Sequence, residues 1–143
     1  MATRTGSAVW SGTLKEGSGR ISTESGVLDA SPYGFNTRFE DEPGTNPEEL
    51  IGAAHAGCFS MALANELEQA GIAASNISAA ASVKLISDDG GFTITAVDLN
   101  VSVFASGAED DAVEKAANTA KENCPVSKLL NAEITMDLHI NPS

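Results

Sequence analysis

One segment limits the possible folds more than any other: Thr45-Asn46-Pro47-Glu48-Glu49 opens a helix, and no stop signal follows until Gly71. Asn46 suits the cap, Pro47 the first helical position, and the two acids the positive end of the helix dipole. With Asn46 as cap, Glu49 falls at the third helical position, where it is expected to complete a capping box and leave Glu48 free. The spacing predicts a helix running to about Gln69 or Ala70, stopped by the residue type that best accepts the left-handed conformation. Leu50, Ile51, Ala54, Cys58, Met61 and Ala62 recur at helical spacing and are expected to form the buried face. Alanines and glycines at positions 52 to 57 let a second helix approach closely. Poor in large side chains, this helix makes a weak core element alone and is better placed against a copy of itself.

Around it the chain reads as hairpins. Val9 to Leu14 and Arg20 to Leu28 are short β-type stretches separated by Gly17-Ser18-Gly19, and Val83 to Ile86 and Phe92 to Phe104 flank the turn cluster Asp88-Asp89-Gly90-Gly91. Between Ser31 and Gly44 the composition shifts to Pro, Gly, Asn and acids, which predicts an irregular loop or short edge strand carrying Tyr33, Phe35, Arg38 and Phe39. Glu109 to about Glu122 is amphipathic, Val126 to Leu130 fits a short further helix, and Ile134 to Ile140 alternates as a closing strand. The order β-β, helix, β-β, helix, β indicates an α+β fold and disfavours a parallel α/β sheet. At 143 residues a single domain spanning 1–143 is expected.

A formal charge of −12 repels phosphate backbones and anionic lipid, so neither nucleic acid nor a membrane is an expected partner. Met1 to Trp10 lacks a basic and apolar leader pattern, and no apolar run reaches the ~18 residues of a membrane span, so the cytoplasm is expected. In that compartment the two cysteines are redox-active or inert rather than a standing disulfide.

Three residue types could carry chemistry. Cys58 lies mid-helix, where it is either a small buried hydrophobe or a nucleophile. Cys124 precedes Pro125 and could cap a helix, where amides stabilise a thiolate; from the residues alone it looks the better nucleophile. Arg38 supplies the fixed cation that a thiolate in an apolar setting requires. On one continuous helix about 15 Å of rise separates Glu48 from Cys58. If Glu48 orients Arg38 beside a reactive cysteine, that cysteine must belong to a second subunit, with the two central helices antiparallel. His55 and His139 have no Cys or carboxylate at metal-ligand spacing, so no metal site is expected and neither histidine is given a catalytic role. No hydrolase elbow, phosphate loop or cofactor-binding motif occurs.

Pro32-Tyr33-Gly34-Phe35-Asn36-Thr37-Arg38-Phe39, Gly44-Thr45-Asn46-Pro47-Glu48-Glu49-Leu50, Ala53-Ala54-His55-Ala56-Gly57-Cys58-Phe59-Ser60-Met61 and Cys124-Pro125-Val126-Ser127 together resemble the OsmC/Ohr family over essentially the whole chain. An arginine just before the Gly-Thr-Asn-Pro-Glu segment resembles the osmotically inducible OsmC branch; the organic-hydroperoxide-resistance branch carries it nearer the N-terminus. The resemblance implies an intertwined homodimer, with antiparallel β-sheets wrapped around two central antiparallel helices. It also implies a stress-response thiol peroxidase in which Cys58 is peroxidatic and Cys124 resolving, reversing the order read from the residues alone. Arg38 and Glu48 would complete the catalytic set, with Tyr33, Phe35, Phe39 and Met61 as apolar substrate walls. An external dithiol of dihydrolipoamide type, free or carried on a lipoylated protein, is the implied reductant of the Cys58–Cys124 disulfide, and thioredoxin is the second candidate. The competing readings are a noncatalytic stress-induced ligand-binding protein of the same fold, or a redox sensor, which would need a partner surface.

Overall fold

The computed structural model describes residues 1–143, which divide into two compact units, residues 1–50 and 51–143. In the first, strands β1 (Gly6–Ser11), β2 (Ser18–Thr23) and β3 (Ser31–Tyr33) form an antiparallel sheet in that order. The expected hairpin is present with shifted ends. Leu14 falls in the connecting turn, closed by the Gly17 amide donating to the Thr13 carbonyl at 2.8 Å, and β2 stops at Thr23 rather than Leu28.

The segment expected to be irregular holds the short edge strand β3 and a five-residue helix, α1 (Phe35–Phe39). Five residues nucleate a helix poorly on propensity alone. This one is held by Thr37, whose hydroxyl accepts from the Gly34 amide at 2.7 Å and donates to the Gly34 carbonyl at 2.9 Å. Gly44 then turns the chain back at φ +147°; a Cβ there would lie 2.7 Å from the Thr37 methyl and 2.8 Å from the Pro32 carbonyl oxygen. The turn lets the Thr45 amide donate to Pro32 at 3.0 Å and sets the start of the long helix beside β3.

That helix, α2 (Pro47–Gln69), has the expected ends. The Asn46 side chain accepts from the Glu49 amide at 2.8 Å, but the capping box is not completed, because the Glu49 carboxylate accepts from the Thr45 hydroxyl at 2.7 Å instead. At the far end Gly71 takes φ +75°. The Ile72 amide reaches the Leu67 carbonyl at 2.8 Å and the Gly71 amide the Glu68 carbonyl at 3.0 Å, a Schellman closure in which Ile72 and Leu67 both join the core.

In the second unit β4 (Asn76–Asp88), β5 (Gly91–Phe104) and β6 (Glu133–Ile140) form one sheet, with α3 (Asp110–Asn123) and α4 (Pro125–Leu129) between β5 and β6. β4 begins at Asn76, well before the expected Val83. The β4–β5 pair is antiparallel, but β6 runs parallel to β5, from Ala96↔Glu133 to Val103↔Ile140. The sheet is therefore mixed rather than wholly antiparallel. A parallel neighbour requires a crossover of a dozen or more residues, and α3 with α4 supplies it.

Alternation puts Leu99, Val101 and Val103 of β5 into the core with Ile77 and Ala79 of β4 and Met136, Leu138 and Ile140 of β6 alongside. Phe59, Leu63 and Leu67 of α2 and Val113, Ala117 and Ala120 of α3 complete it. The buried stripe of α2 is thus His55, Phe59, Leu63 and Leu67, every fourth residue, and not the expected one: Ala54 and Met61 are exposed, and Leu50, Ile51, Cys58 and Ala62 half-buried. Both faces of this helix are apolar, so periodicity does not distinguish them; the large side chains do. Leu63→Ala should lower the unfolding free energy by about 3 kcal/mol, seen as a lower urea midpoint at unchanged slope.

Candidate active site

In the first unit α1 and the start of α2 bring Arg38 and Glu48 together. Arg38 Nε donates to Glu48 Oε1 at 2.8 Å and Nη2 lies 2.6 Å from the same oxygen, while the Arg38 side chain keeps 34% of its exposure against 12% for Glu48. Glu48 Oε2 is buried without a hydrogen-bond partner. Because both contacts use one carboxylate oxygen, the carboxylate aims the guanidinium yet leaves some of its N–H donors for another anion. The guanidinium also lies 5.4 Å from the centre of the Phe39 ring, and the Phe35 and Phe39 rings meet tilted at 49° with their centres 4.8 Å apart.

Beside Arg38 is an open cavity of about 300 Å³. Tyr33, Phe35 and Phe39 line it, and Trp10, Leu14 and Pro47 join them. The last three were not anticipated; their apolar character was visible, but only the folded hairpin and helix start bring them to Tyr33. Met61 is not among the walls and is 79% exposed on α2, because it points away from the face that buries Phe59 and Leu63.

In the second unit the free thiols Cys58 and Cys124 meet. Cys124 ends α3 and caps α4, its Sγ accepting from the Ser127 amide at 3.3 Å, with Pro125 at the first helical position. Cys58 is close enough to hydrogen-bond with Cys124, and the Val126 amide donates toward it. Two successive amides of one turn therefore face two different sulfurs. Burial, opposed by the Val126 amide and reinforced by the neighbouring Cys124, pushes the Cys58 thiol up from its ordinary value. No cation is among the influences on Cys58, so a thiolate at neutral pH needs one supplied from elsewhere.

His55, given no role above, is fully buried one turn before Cys58. Its Nε2 lies 2.8 Å from Ser127 Oγ, which accepts from the Cys124 thiol at 3.2 Å, and its Nδ1 has no partner. An unsatisfied buried ring nitrogen costs about 1–3 kcal/mol, which a leucine at this position would avoid. No local spacing signals this arrangement, since His55 and Ser127 are 72 residues apart.

The family model described as OsmC-like protein matches residues 39–139. The chain belongs to the OsmC-like family. It is 52% identical over 135 residues to peroxiredoxin OsmC of Escherichia coli, covering 94% of each chain. It is 31% identical over 123 residues to the organic hydroperoxide resistance protein OhrB of Bacillus subtilis, covering 85% of this chain and 88% of the relative. The crystal structure of that OhrB superimposes with a TM-score of 0.71 over 95% of this chain and 97% of the other, at 29% identity. An OsmC-like protein of unknown function from Vibrio cholerae shares the fold at a TM-score of 0.76 and 17% identity, over 96% of this chain and 99% of the other. The higher identity to OsmC than to OhrB agrees with the branch indicated by the position of Arg38.

Burial holds the His55 pKa below its ordinary value. As the pH falls through about 6.5, the unfolded chain takes a proton that the folded OsmC-like chain resists. The stabilisation is complete above that pH and is lost below it. Urea midpoints measured between pH 7.5 and 5.5 should fall for the wild type and stay nearly level for His55→Gln.

Proposed function

We propose that this OsmC-like chain is a cytoplasmic cysteine peroxidase that reduces organic hydroperoxides to alcohols, with Cys58 as the peroxidatic and Cys124 as the resolving thiol. The observation that carries the reading is the meeting of two free thiols at one helix start, each facing a backbone amide. A ligand-binding scaffold accounts for the apolar cavity but has no need of that pairing, and the relatives named peroxiredoxin and hydroperoxide resistance protein point the same way.

The functional unit in this reading is an intertwined homodimer of one OsmC-like domain, residues 1–143. About 15 Å of helix rise separates Glu48 from Cys58 of the same chain, so the Arg38–Glu48 pair serves the Cys58 of a second copy across antiparallel α2 helices. Two features support the dimer. All of β1 is exposed in the single chain, including Val9 at 68%, and the outer face of α2 carries Ala53, Gly57 and Met61, small or apolar residues that accept a close neighbour. Arg38 is then the cation that the desolvated Cys58 lacks.

The Cys58 thiolate attacks the distal peroxide oxygen. The O–O bond breaks, the alkoxide leaves and takes a proton as alcohol, and Cys58 becomes a sulfenic acid. Arg38 stabilises both the thiolate and the developing alkoxide, while Tyr33, Phe35 and Phe39 pack the alkyl group. Cys124 then displaces hydroxide from the Cys58 sulfur, giving the disulfide and water. An external dithiol, dihydrolipoamide or a lipoylated protein, restores both thiols by exchange.

With cumene hydroperoxide and dihydrolipoamide, Cys58→Ser should abolish turnover, and Cys124→Ser should accumulate a sulfenic acid that dimedone traps. Arg38→Met should lower the rate of Cys58 oxidation by about 10²-fold. A wild type that consumes no peroxide and forms no Cys58–Cys124 disulfide would instead favour the ligand-binding reading.

A further inference from the structure

Four side chains form a chain of contacts in the second unit: Cys58 beside Cys124, the Cys124 thiol on Ser127 Oγ at 3.2 Å, and Ser127 Oγ on His55 Nε2 at 2.8 Å. The last three residues are buried. We propose that His55 and Ser127 are positioning residues that form a proton relay for Cys124, removing its thiol proton as it attacks the oxidised Cys58. The proposal rests on the peroxidase reading, in which Cys124 is the resolving thiol.

The geometry has the direction such a relay needs. The Cys124 S–H points at Ser127 Oγ, so the Ser127 hydroxyl hydrogen is free to point at the unprotonated Nε2, and the imidazole proton then resides on Nδ1. Moving both shared protons one step toward the ring leaves a Cys124 thiolate that accepts from the Ser127 hydroxyl, while that oxygen accepts from a protonated Nε2. The Ser127 amide, 3.3 Å from Cys124 Sγ, holds the same sulfur in both states. Burial favours neutral His55, so the ring is an empty proton acceptor at rest and holds the imidazolium only briefly.

The bonds balance. The Cys124 thiolate attacks the sulfur of the Cys58 sulfenic acid, the S–O bond breaks, the S–S bond forms, and hydroxide leaves. Cys58 sulfur is reduced and Cys124 sulfur oxidised by one level each. The proton held by His55 is given up again and combines with the hydroxide as water, so no proton is gained or lost. When the external dithiol later attacks Cys58, the same relay can deliver a proton to the departing Cys124.

The two half-reactions separate this role from a merely structural one. In single-turnover experiments at pH 7.5, cumene hydroperoxide is mixed with reduced enzyme, and the sulfenic acid and the disulfide are followed by rapid quench and mass spectrometry. Ser127→Ala, which keeps the amide contact, and His55→Gln, which keeps a polar group but cannot take the proton, should still form the Cys58 sulfenic acid. Each should form the disulfide on the order of 10²-fold more slowly. Ser127→Thr, which retains the hydroxyl, should recover most of that rate. Disulfide formation at the wild-type rate in both Ser127→Ala and His55→Gln overturns the relay while leaving the peroxidase reading intact. Equal slowing of both steps, or no recovery in Ser127→Thr despite a cooperative thermal transition, overturns it in favour of a packing role. A wild type that never forms the disulfide overturns the resolving role of Cys124, and the relay with it.

Discussion

The docking of α2 through His55, Phe59, Leu63 and Leu67 is the constraint on which the second unit depends. Three large apolar side chains at four-residue spacing lock the rotation of the helix against β5 and α3. Once Phe59 is buried, Cys58 must stand at the edge of the buried face, half-covered, and His55 must point inward one turn earlier. The thiol therefore meets Cys124 because of packing rather than any attraction between sulfurs. The crossover through α3 and α4 brings Cys124 to the same place from the other side, and its break at Pro125 exposes the amides that both sulfurs use.

Chemistry follows from what each unit lacks. Cys58 sits where burial disfavours a thiolate and no cation acts on it, while Arg38 sits in the first unit with one anionic partner, Glu48 Oε1, and capacity for another. In the proposed dimer each deficiency is met by the other chain. A site assembled in this way would be silent in an isolated chain, because Cys58 would gain its cation only on assembly.

Legibility in the sequence tracked the range of the interaction. Asn46 and Gly71 act on their own backbone neighbours, so both ends of α2 were readable. The rotation of α2 was not, because Ala and Gly cover its whole circumference and Ala54 and Met61 look as apolar as Leu63. The direction of β6 was also hidden, since an alternating strand carries the same pattern whether it runs parallel or antiparallel. The α1 helix is stabilised by the Thr37–Gly34 contacts rather than by propensity, and the His55–Ser127 contact exists only after the fold is complete. The family resemblance offers Arg38, Glu48, Cys58 and Cys124 as a set; the structure pairs Arg38 with Glu48 and Cys58 with Cys124, contacts that no local spacing in the sequence shows.

The central claim is that one chain's Arg38 serves the other chain's Cys58, and subunit mixing tests it most directly. Cys58→Ser and Arg38→Ala proteins, each nearly inactive alone, are unfolded, mixed in equal amounts and refolded together. Sites shared between chains predict that the mixture regains about a quarter of wild-type peroxidase activity, since about half the dimers are mixed and each holds one intact site. A mixture no more active than its two components would contradict the account, because it would place Arg38 and Cys58 of each site on the same chain.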